Sequence, residues 1–531
     1  MRMAVVLALA VVSLVRQEAW AQTPATAIDG VFAEYSSSTP GCAVGVERAG
    51  QPDLIRAYGS SDLEHGVANR VDSVFEAGSV SKQFTAAAVL LLVRDGKLSL
   101  RDDVRKYIPE LPDYGHPITI DELLGHTSGL RDWGDVEDIA GWPRGDRVYS
   151  MADVLHVAAR QRTLNYQPGA AWSYTNTGYN LLAILVERVG GKSLPAFSHE
   201  RIFAPLGMAH SQWRDDFRRV VPGRAIAYGA APSGYQQQMP FENAFGNGGL
   251  LTTIGDLLIW NRALNDARLG PFVTTELQRL TKLNDGRTTE YARGLAISRY
   301  RDFREVSHAG ATAGYRAWLG RYPDQDLSIA LLCNDGDANP VKLARAVADL
   351  YLPATPPPRP SPPSPPSLKA RAGLYVDDRW GQALHLVWRD DHLRSDRGSI
   401  LEGAPNGGFH LGGAKATLRA DGRIQIDERG DAITFTRTDP YAPTHAELEA
   451  VVGRYRSAEA AAVFIVSLEG KGLKITPEDR PDAAVALVPT YRDAFSSDGA
   501  VVRLLRNPGG RVTALRLSDE RVWDLRADRE K

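Results

Sequence analysis

The sequence predicts an α+β fold: a first domain with an antiparallel sheet and an inserted helical region, followed by two small antiparallel β-barrels. Strand-like segments open and close the first domain, with helical periodicity between them. A proline-rich segment at 353–368 then interrupts the chain. Beyond it, two similar strand-and-turn copies of about 80 residues follow one another.

Composition sets the broad class. The chain has 531 residues, of which 43% are hydrophobic and 24% charged, and a formal net charge of −2. These values suit a folded protein of about two to four domains, each able to bury a core. The near-neutral charge, without a long basic run, gives no indication of nucleic-acid binding.

Residues 1–21 have the pattern of a secretory signal peptide. A basic MRM start precedes the apolar run AVVLALAVVSLV and the small-residue site Ala19-Trp20-Ala21. The run is shorter than the roughly 20 residues that span a bilayer, so stable membrane insertion is not expected. No cysteine at the cut offers a lipid anchor. We expect cleavage after Ala21 and export of a soluble protein to the periplasm or the medium.

The first domain is predicted to occupy residues 22–352. It begins with the strands GCAVGVER and LIRAYG, joined by a turn. Helical segments follow, among them QFTAAAVLLLVRDG and GYNLLAILVERVGG, each ending at glycine. The strands REVSHAG, YRAWLGRYP and LSIALLCN and the helix VKLARAVADLYL complete it. A sheet built from both ends of the domain, with helices inserted between, is the natural arrangement.

The two cysteines, Cys42 and Cys333, lie in the first and last of these strands. If the strands pair antiparallel, the start of one meets the end of the other. A disulfide and a pair of buried free thiols both fit this placement, and the sequence leaves the choice open.

The segment PATPPPRPSPPSPPS favours polyproline II and marks a linker at 353–368. Two barrels, 369–445 and 446–531, are predicted after it, with a single long sandwich as the alternative. Their similarity is carried by residues at an offset of 80: Gly373-Leu374-Tyr375 with Gly453-Arg454-Tyr455, Leu386 with Val466, Trp388 with Leu468, and Leu393 with Leu473.

The sequence lacks the residues that several other kinds of active site require. There is no G-x-S-x-G nucleophile elbow. The stretch Gly191-Lys192-Ser193 resembles the end of a phosphate loop, but Val186 stands where the first glycine is required. The histidines show no metal-ligand spacing, so neither a metal nor an organic cofactor is expected.

A serine and a lysine, Ser79 and Lys82, lie three residues apart where an apolar helix begins, in FEAGSVSKQFTAA. Residues three apart on a helix share a face, so the amine can reach the hydroxyl. A serine hydroxyl is a weak nucleophile until a base takes its proton, and a desolvated lysine can be that base. The helix N-terminus adds N–H donors where an oxyanion would form.

Two further elements follow in order. Tyr174 and Asn176 lie in PGAAWSYTNTGYNLL, between a turn and a helix, and His308 and Gly310 lie in HAGATAGY at the end of a strand. Alone, each has an ordinary structural interpretation, as a buried aromatic, a capping asparagine or a strand histidine.

Together, these elements resemble the penicillin-recognising serine hydrolases, in particular the class C β-lactamase branch with its D-aminopeptidase and esterase relatives. The resemblance covers roughly residues 30–352. It includes the stretches LLGHTSGL and GNGGLLTT beside the three motifs, in the same order and spacing. His126 and Ser128, within LLGHTSGL, are interpreted as structural.

The resemblance implies an acyl-enzyme mechanism with Ser79 as nucleophile and Lys82 as its base. It implies that Tyr174 relays protons to the leaving group and later helps to activate the deacylating water. Asn176 would hold the acyl amide of the substrate and the Lys82 side chain. The backbone N–H groups of Ser79 and Ala311 would form the oxyanion hole.

One departure concerns His308, because β-lactamases and transpeptidases of this fold usually carry lysine at that position before the x-Gly. Here the resemblance is to D-aminopeptidases and esterases, and a three-domain D-aminopeptidase also carries two C-terminal barrels. We expect D-aminopeptidase-like or small-ester hydrolysis of a small-molecule or peptide substrate. β-Lactamase or D,D-carboxypeptidase activity is the alternative, and a non-catalytic binder of cell-wall peptides is the rival class. A neutral His308 should donate one hydrogen bond and favour substrates without a free carboxylate.

The second barrel copy is longer than the first, and most of the extra length lies in TPEDRPDAAVALVPTYRDAF, residues 476–495. The D-aminopeptidase resemblance implies that a loop of the last domain reaches the active site. We therefore expect this insertion to limit the substrate, with a longer surface loop as the alternative.

Overall fold

The computed structural model describes residues 24–354, 365–403, 408–470, 472–497 and 499–531. The predicted signal peptide, residues 1–21, lies outside these ranges, as does most of the predicted linker. Among the helices of the described ranges, none is long and apolar enough to cross a membrane.

Residues 24–354 form a layered α+β domain around a six-stranded antiparallel sheet, built from both ends of the segment as the sequence predicts. Its strands and those of its small accessory sheets are β1 Cys42–Arg48, β2 Leu54–Tyr58, β3 Ser60–Asp62, β4 Val67–Ala68, β5 Phe75–Glu76, β6 Gln212–Trp213, β7 Tyr228–Ala231, β8 Gly234–Gln237, β9 Leu250–Thr252, β10 Ala296–Tyr300, β11 Phe303–Thr312, β12 Tyr315–Tyr322 and β13 Leu327–Cys333. The main sheet has the order β10-β11-β12-β13-β1-β2.

Helices cover both faces of this sheet. They are α1 Pro24–Val31, α2 Lys82–Arg94, α3 Ile120–Leu124, α4 Trp133–Ile139, α5 Met151–Arg160, α6 Asn176–Gly190, α7 Leu194–Ser198, α8 Ala204–Leu206, α9 Ile254–Asn265, α10 Pro271–Leu277 and α11 Pro340–Asp349. Helices α1 and α11 pack on one face, and α9 packs on the other with α2 and α6 behind it. Because α2 is buried from Lys82 to Leu92, its first residue enters the core and not solvent.

The disulfide left open by the sequence is present. Strands β1 and β13 pair antiparallel with Cys42 directly opposite Cys333, and the two sulfur atoms are bonded. The bond ties the first strand of the domain to the last, across a sequence separation of 291 residues.

After the linker, the described residues form two antiparallel β-barrels, which confirms the predicted repeat and excludes the single sandwich. The first contains β14 Gly373–Asp377, β15 Ala383–Arg389, β16 His392–Ser395, β17 Leu401–Gly403, β18 Phe409–Leu411, β19 Ala414–Leu418, β20 Ile424–Glu428 and β21 Asp431–Thr438. A bridge between Arg394 and Ile400 joins its outer strands. A 3₁₀ turn at Pro366–Arg371 packs Leu368 into its core, so ordered structure begins inside the predicted linker.

The second barrel closes fully, from β22 to the last strand. A short helix, α12 His445–Glu449, precedes its strands, which are β22 Gly453–Ser457, β23 Ala462–Glu469, β24 Gly472–Pro477, β25 Val485–Pro489, β26 Ala494–Ser497, β27 Ala500–Arg506, β28 Val512–Ser518 and β29 Leu525–Arg529. Its core is continuous with apolar residues of α4 and α5, so the barrel is fused to the first domain and not tethered beside it.

A buried ion pair fixes this barrel in place. The Arg131 side chain is 1% exposed, and its Nη1 lies 3.3 Å from Oε1 of Glu459. Its Nη2 also donates to the carbonyl oxygen of Trp523 at 3.0 Å. The same Glu459 oxygen accepts the backbone N–H of Thr163 at 3.0 Å.

Glu459→Ala should destabilise the protein by about 3–5 kcal/mol, because it leaves the buried Arg131 guanidinium without its countercharge. The control is Glu478→Ala, which removes a partly exposed partner of Arg454 on the same barrel and should cost about 1 kcal/mol or less. Urea and thermal unfolding of the two variants provide the measurement. Equal losses of stability would contradict the anchoring role.

Candidate active site

Ser79 lies in a 3₁₀ turn, Gly78–Ser81, that leads directly into α2. Glycine is required at position 78 because its φ is +49° and an added Cβ would lie 2.7 Å from the backbone nitrogen of Ala311. The turn therefore presses the Ser79 backbone against strand β11. The Lys82 Nζ lies 3.1 Å from the Ser79 Oγ, as the predicted shared helix face requires.

Lys82 is fully buried, and its amine has three oxygen neighbours. Besides the Ser79 hydroxyl, these are Oδ1 of Asn176 at 2.9 Å and the carbonyl oxygen of Asn247 at 2.8 Å. A neutral amine satisfies this set, because its two N–H groups donate to the amide oxygens and its lone pair accepts the Ser79 hydroxyl proton. Burial holds the Lys82 pKa well below its ordinary value, against the attraction of Asp132.

Tyr174 stands over this pair. The Lys82 Nζ lies 4.8 Å from the centroid of its ring. Burial raises the Tyr174 pKa to about 12, and a hydrogen bond with Ser79 opposes the shift only in part. Tyr174 is therefore a neutral phenol that can pass a proton between Ser79 and a neighbouring group.

Asn176 begins helix α6, whose N-cap is Thr175. Its backbone N–H donates to Oδ2 of Asp132 at 2.5 Å. Asp132 is itself the N-cap of α4, accepting the N–H of Gly134 at 2.9 Å. One buried carboxylate thus fixes the starts of two helices, one of which presents the Asn176 side chain to Lys82.

His308 lies beside the site with both ring nitrogens occupied. Its Nδ1 donates to the carbonyl oxygen of Ala309 at 2.6 Å, and its Nε2 accepts the Tyr291 hydroxyl at 3.0 Å. Burial is the main cause that lowers the His308 pKa to about 3. The expectation that His308 is neutral and donates one hydrogen bond agrees with this geometry, and that hydrogen bond goes to Ala309.

Gly310 and Ala311 follow on the same strand. Pairing between β10 and β11 ends at Ser307, so beyond it β11 faces the turn that holds Ser79. An added Cβ on Gly310 would lie 2.1 Å from the carbonyl oxygen of Ala77 and 3.1 Å from the nitrogen of Ser79. The backbones of Ser79 and Ala311 are thus adjacent, as a shared oxyanion site requires.

His126 packs within the aromatic cluster at the site and has no exposed surface. Its ring centroid lies 4.3 Å from that of Tyr174 and 4.6 Å from that of Tyr291, and its Nδ1 accepts the N–H of Thr175 at 3.2 Å. Ser128 accepts the N–H of Leu130 at 3.3 Å. Both contacts fit the structural roles assigned from the sequence.

Both barrels deliver an arginine to the rim of the site. Arg521, between β28 and β29, places its guanidinium carbon 5.3 Å from the centroid of the Tyr174 ring. Arg429, in the turn between β20 and β21, lies 5.6 Å from the ring centroid of Trp172.

The insertion at 476–495, by contrast, lies against another part of the first domain. Its Arg480 pairs with Asp146 at 2.7 Å and covers the ring of Trp142. The segment that approaches Tyr174 is therefore the β28–β29 connection. Its amino-acid sequence does not stand out from those of the other turns in the repeat.

Sequence reasoning thus missed four residues of the site. Asn247 lies in GNGGLLTT, a stretch that supports the family resemblance although its asparagine was not identified as a site residue. Asp132 immediately precedes a helix, which is the position of an N-cap residue. Tyr291 and Arg521 carry no local signal, because only the fold brings them to the site. Among the described residues, no group of His, Cys, Asp and Glu side chains could hold a metal ion.

The chain is similar to several known proteins. The protein-family model described as Beta-lactamase matches residues 28–352. A D-aminopeptidase of Cereibacter sphaeroides (strain KD131) is 26% identical over 502 residues, which cover 90% of this chain and 93% of the relative. Penicillin-binding protein 4* of Bacillus subtilis (strain 168) is 29% identical over 296 residues, covering 52% and 64%.

A solved structure, the octameric penicillin-binding protein homologue from Pyrococcus abyssi, has the same fold with a TM-score of 0.55. It is 19% identical, and the match covers 95% of this chain and 98% of that one. The similarity extends through both barrels.

Acid should destabilise the protein through His308. The unfolded histidine binds a proton near pH 6.5 and the folded one only near pH 3, so the unfolded state binds more protons between these values. Stability should fall across that window by up to about 1.4 kcal/mol per pH unit from this residue, and not depend on it above pH 6.5. Thermal melts of wild type and His308→Gln from pH 8 to pH 4 test this; parallel curves would contradict it.

Proposed function

Because the chain belongs to the β-lactamase family, we propose that it is a serine hydrolase that forms an acyl-enzyme on Ser79, with D-aminopeptidase-like or esterase activity. The observation that carries the proposal is the Ser79–Lys82 contact of 3.1 Å around a fully buried amine. A surface lysine would be protonated at neutral pH, whereas a buried one can accept the serine proton.

In the first half-reaction, Ser79 Oγ attacks the substrate carbonyl carbon while its proton passes to Lys82 Nζ. The N–H groups of Ser79 and Ala311 stabilise the oxyanion. The carbon–nitrogen or carbon–oxygen bond then breaks, and the Tyr174 phenol gives its proton to the leaving group and regains one from Lys82. Hydrolysis reverses these transfers, with water as the nucleophile and Ser79 as the leaving group.

The D-aminopeptidase-like assignment is supported by similarity over most of the chain, barrels included, to a protein of that name. The occupied ring nitrogens of His308 support it too, since they offer no cation and no donor where a lysine would bind a carboxylate. A second candidate, β-lactamase or D,D-carboxypeptidase activity, is favoured by the cationic Arg521 beside Tyr174.

A non-catalytic binder of cell-wall peptides is the rival from another class. Binding alone requires neither a desolvated amine nor a phenol next to the serine hydroxyl. Complete burial of the Lys82 amine costs free energy. A protein that only binds peptides gains nothing from that cost. The residues present therefore favour catalysis.

We also propose that the protein is exported. The support is the signal-like pattern of residues 1–21, with its A-x-A site before Gln22. The Cys42–Cys333 disulfide adds support, because such bonds persist in oxidising compartments such as the periplasm and the extracellular medium.

Intact-mass spectrometry should detect acyl transfer to the chain after exposure to a panel of esters, D-amino-acid amides and a penicillin. The compound that leaves an adduct on Ser79 identifies the acyl group that the site accepts. An adduct from the penicillin alone would favour the second candidate. No adduct and no turnover with any compound would favour the binder.

Ser79→Ala and Lys82→Ala should each lower turnover of an activated ester by at least about a thousandfold, because the two residues act as a unit. The matched control is Lys97→Ala, an exposed lysine just beyond the same helix, which should retain full activity. The measurement is kcat/KM with folding checked by circular dichroism. Substantial turnover by Ser79→Ala would refute the mechanism.

A further inference from the structure

Arg521 is a cation with unused hydrogen-bonding capacity at the rim of the site. Its side chain is 32% exposed and lies over the Tyr174 ring. Within the described ranges, its guanidinium donates no hydrogen bond to a protein acceptor, and its nearest carboxylate, Asp135, is 4.0 Å away. A guanidinium that has no protein acceptor can bind a carboxylate through two parallel N–H donors.

Two other acids near Arg521, Asp132 and Asp519, are engaged by backbone groups. The two oxygens of Asp132 accept the N–H groups of Gly134 and Asn176. Oδ1 of Asp519 accepts the N–H groups of Arg521 itself and Val522. None of them competes for the donors that the guanidinium presents.

Asp135 provides little countercharge. Burial, together with the carboxylates of Asp132 and Asp519, raises its pKa to about 8. At neutral pH it therefore carries less negative charge than an ordinary aspartate. The charge of Arg521 reaches the catalytic residues, where it lowers the pKa of both Lys82 and Tyr174.

The segment that carries Arg521 is held rigidly. Asn165 donates from Nδ2 to the Arg521 carbonyl oxygen at 2.9 Å and accepts the Trp523 N–H at 2.8 Å. Arg131 donates to the carbonyl oxygen of Trp523. Arg429, the other rim arginine, is exposed to solvent, so it is the weaker candidate for a ligand.

We propose that Arg521 determines specificity by binding a carboxylate on the leaving group of the substrate. The inference rests on the proposed function, in which Tyr174 delivers its proton to the leaving group. A cation over Tyr174 then lies beside the group that departs. The favoured substrates are short peptides whose leaving amino acid carries its free carboxylate, and not the corresponding amides or long peptides.

This assignment reverses the substrate preference expected from His308 alone. His308 cannot hold a carboxylate because its ring is neutral and both nitrogens are occupied. The positive charge over the Tyr174 ring comes instead from Arg521 of the second barrel.

The test measures binding in Ser79→Ala, so that it does not depend on turnover. By titration calorimetry, Ser79→Ala should bind D-alanyl-glycine about tenfold more tightly than D-alanyl-glycinamide. Adding Arg521→Gln should remove this ratio, and adding Arg521→Lys should preserve part of it. The matched control is Arg526→Gln, an exposed arginine of the same barrel paired with Asp528, which should leave the ratio unchanged.

The ratio of the two affinities distinguishes carboxylate recognition from a structural role of Arg521, because a distorted site would weaken the binding of the acid and of the amide alike. Equal affinity for both ligands in Ser79→Ala would overturn the proposal, as would no binding of the acid or a ratio that survives Arg521→Gln. The proposed function fails in a separate experiment, if Ser79 of the wild-type protein never acquires an adduct in intact-mass spectrometry. If a penicillin adduct forms and depends on Arg521, Arg521 still binds a carboxylate, but the reaction is that of the second candidate function.

Discussion

The candidate active site depends on burying one lysine amine completely. Lys82 contacts the hydroxyl of its own helical turn, the amide of Asn176 and the carbonyl of Asn247, which lie on three separate segments of the chain. Each contact satisfies one of the hydrogen-bonding groups of an amine that has no access to water. Losing any one contact therefore leaves a buried polar group unpaired. These three hydrogen bonds therefore constrain the relative placement of α2, α6 and the 246–253 segment.

A second constraint links the barrels to the chemistry. The loop that leads into Tyr174 is bounded on one side by the first barrel, where Asp431 accepts the N–H of Trp172 at 2.7 Å. On the other side the second barrel contributes Trp523, which packs with Trp380 of the first barrel and Ala171 of the loop. Displacing either barrel would move the backbone that positions the phenol. The accessory domains are therefore part of the site's scaffold.

The sequence predicts what is local. Ser79 and Lys82 follow from helix spacing, and the barrels follow from a repeat with glycine at the same strand position, Gly373 and Gly453. Motif order identifies Tyr174 and Asn176 as members of one site. These features share a property: a short stretch contains the information, so neighbouring residues or a known family pattern reveal it.

What the sequence does not predict depends on contacts between distant segments. The Nε2 atom of His308 accepts the hydroxyl of Tyr291, which another segment brings to the ring, and no pattern around residue 308 records this. The cysteine pairing required the β1–β13 register, which periodicity alone does not give. Arg521 reaches Tyr174 only because a barrel docks there, and the longer insertion was the more conspicuous feature in the sequence.

Burial also decides which group is the base and which is the acid. Removing water disfavours the charged form of every group, so it lowers the pKa of an amine and raises that of a phenol. Lys82 becomes a neutral acceptor and Tyr174, with its pKa raised to about 12, remains a neutral donor. Had Tyr174 been ionised and Lys82 protonated, two charges would stand in the same dry pocket at a larger desolvation cost. One physical cause, burial, thus assigns opposite tasks to the two partners of Ser79.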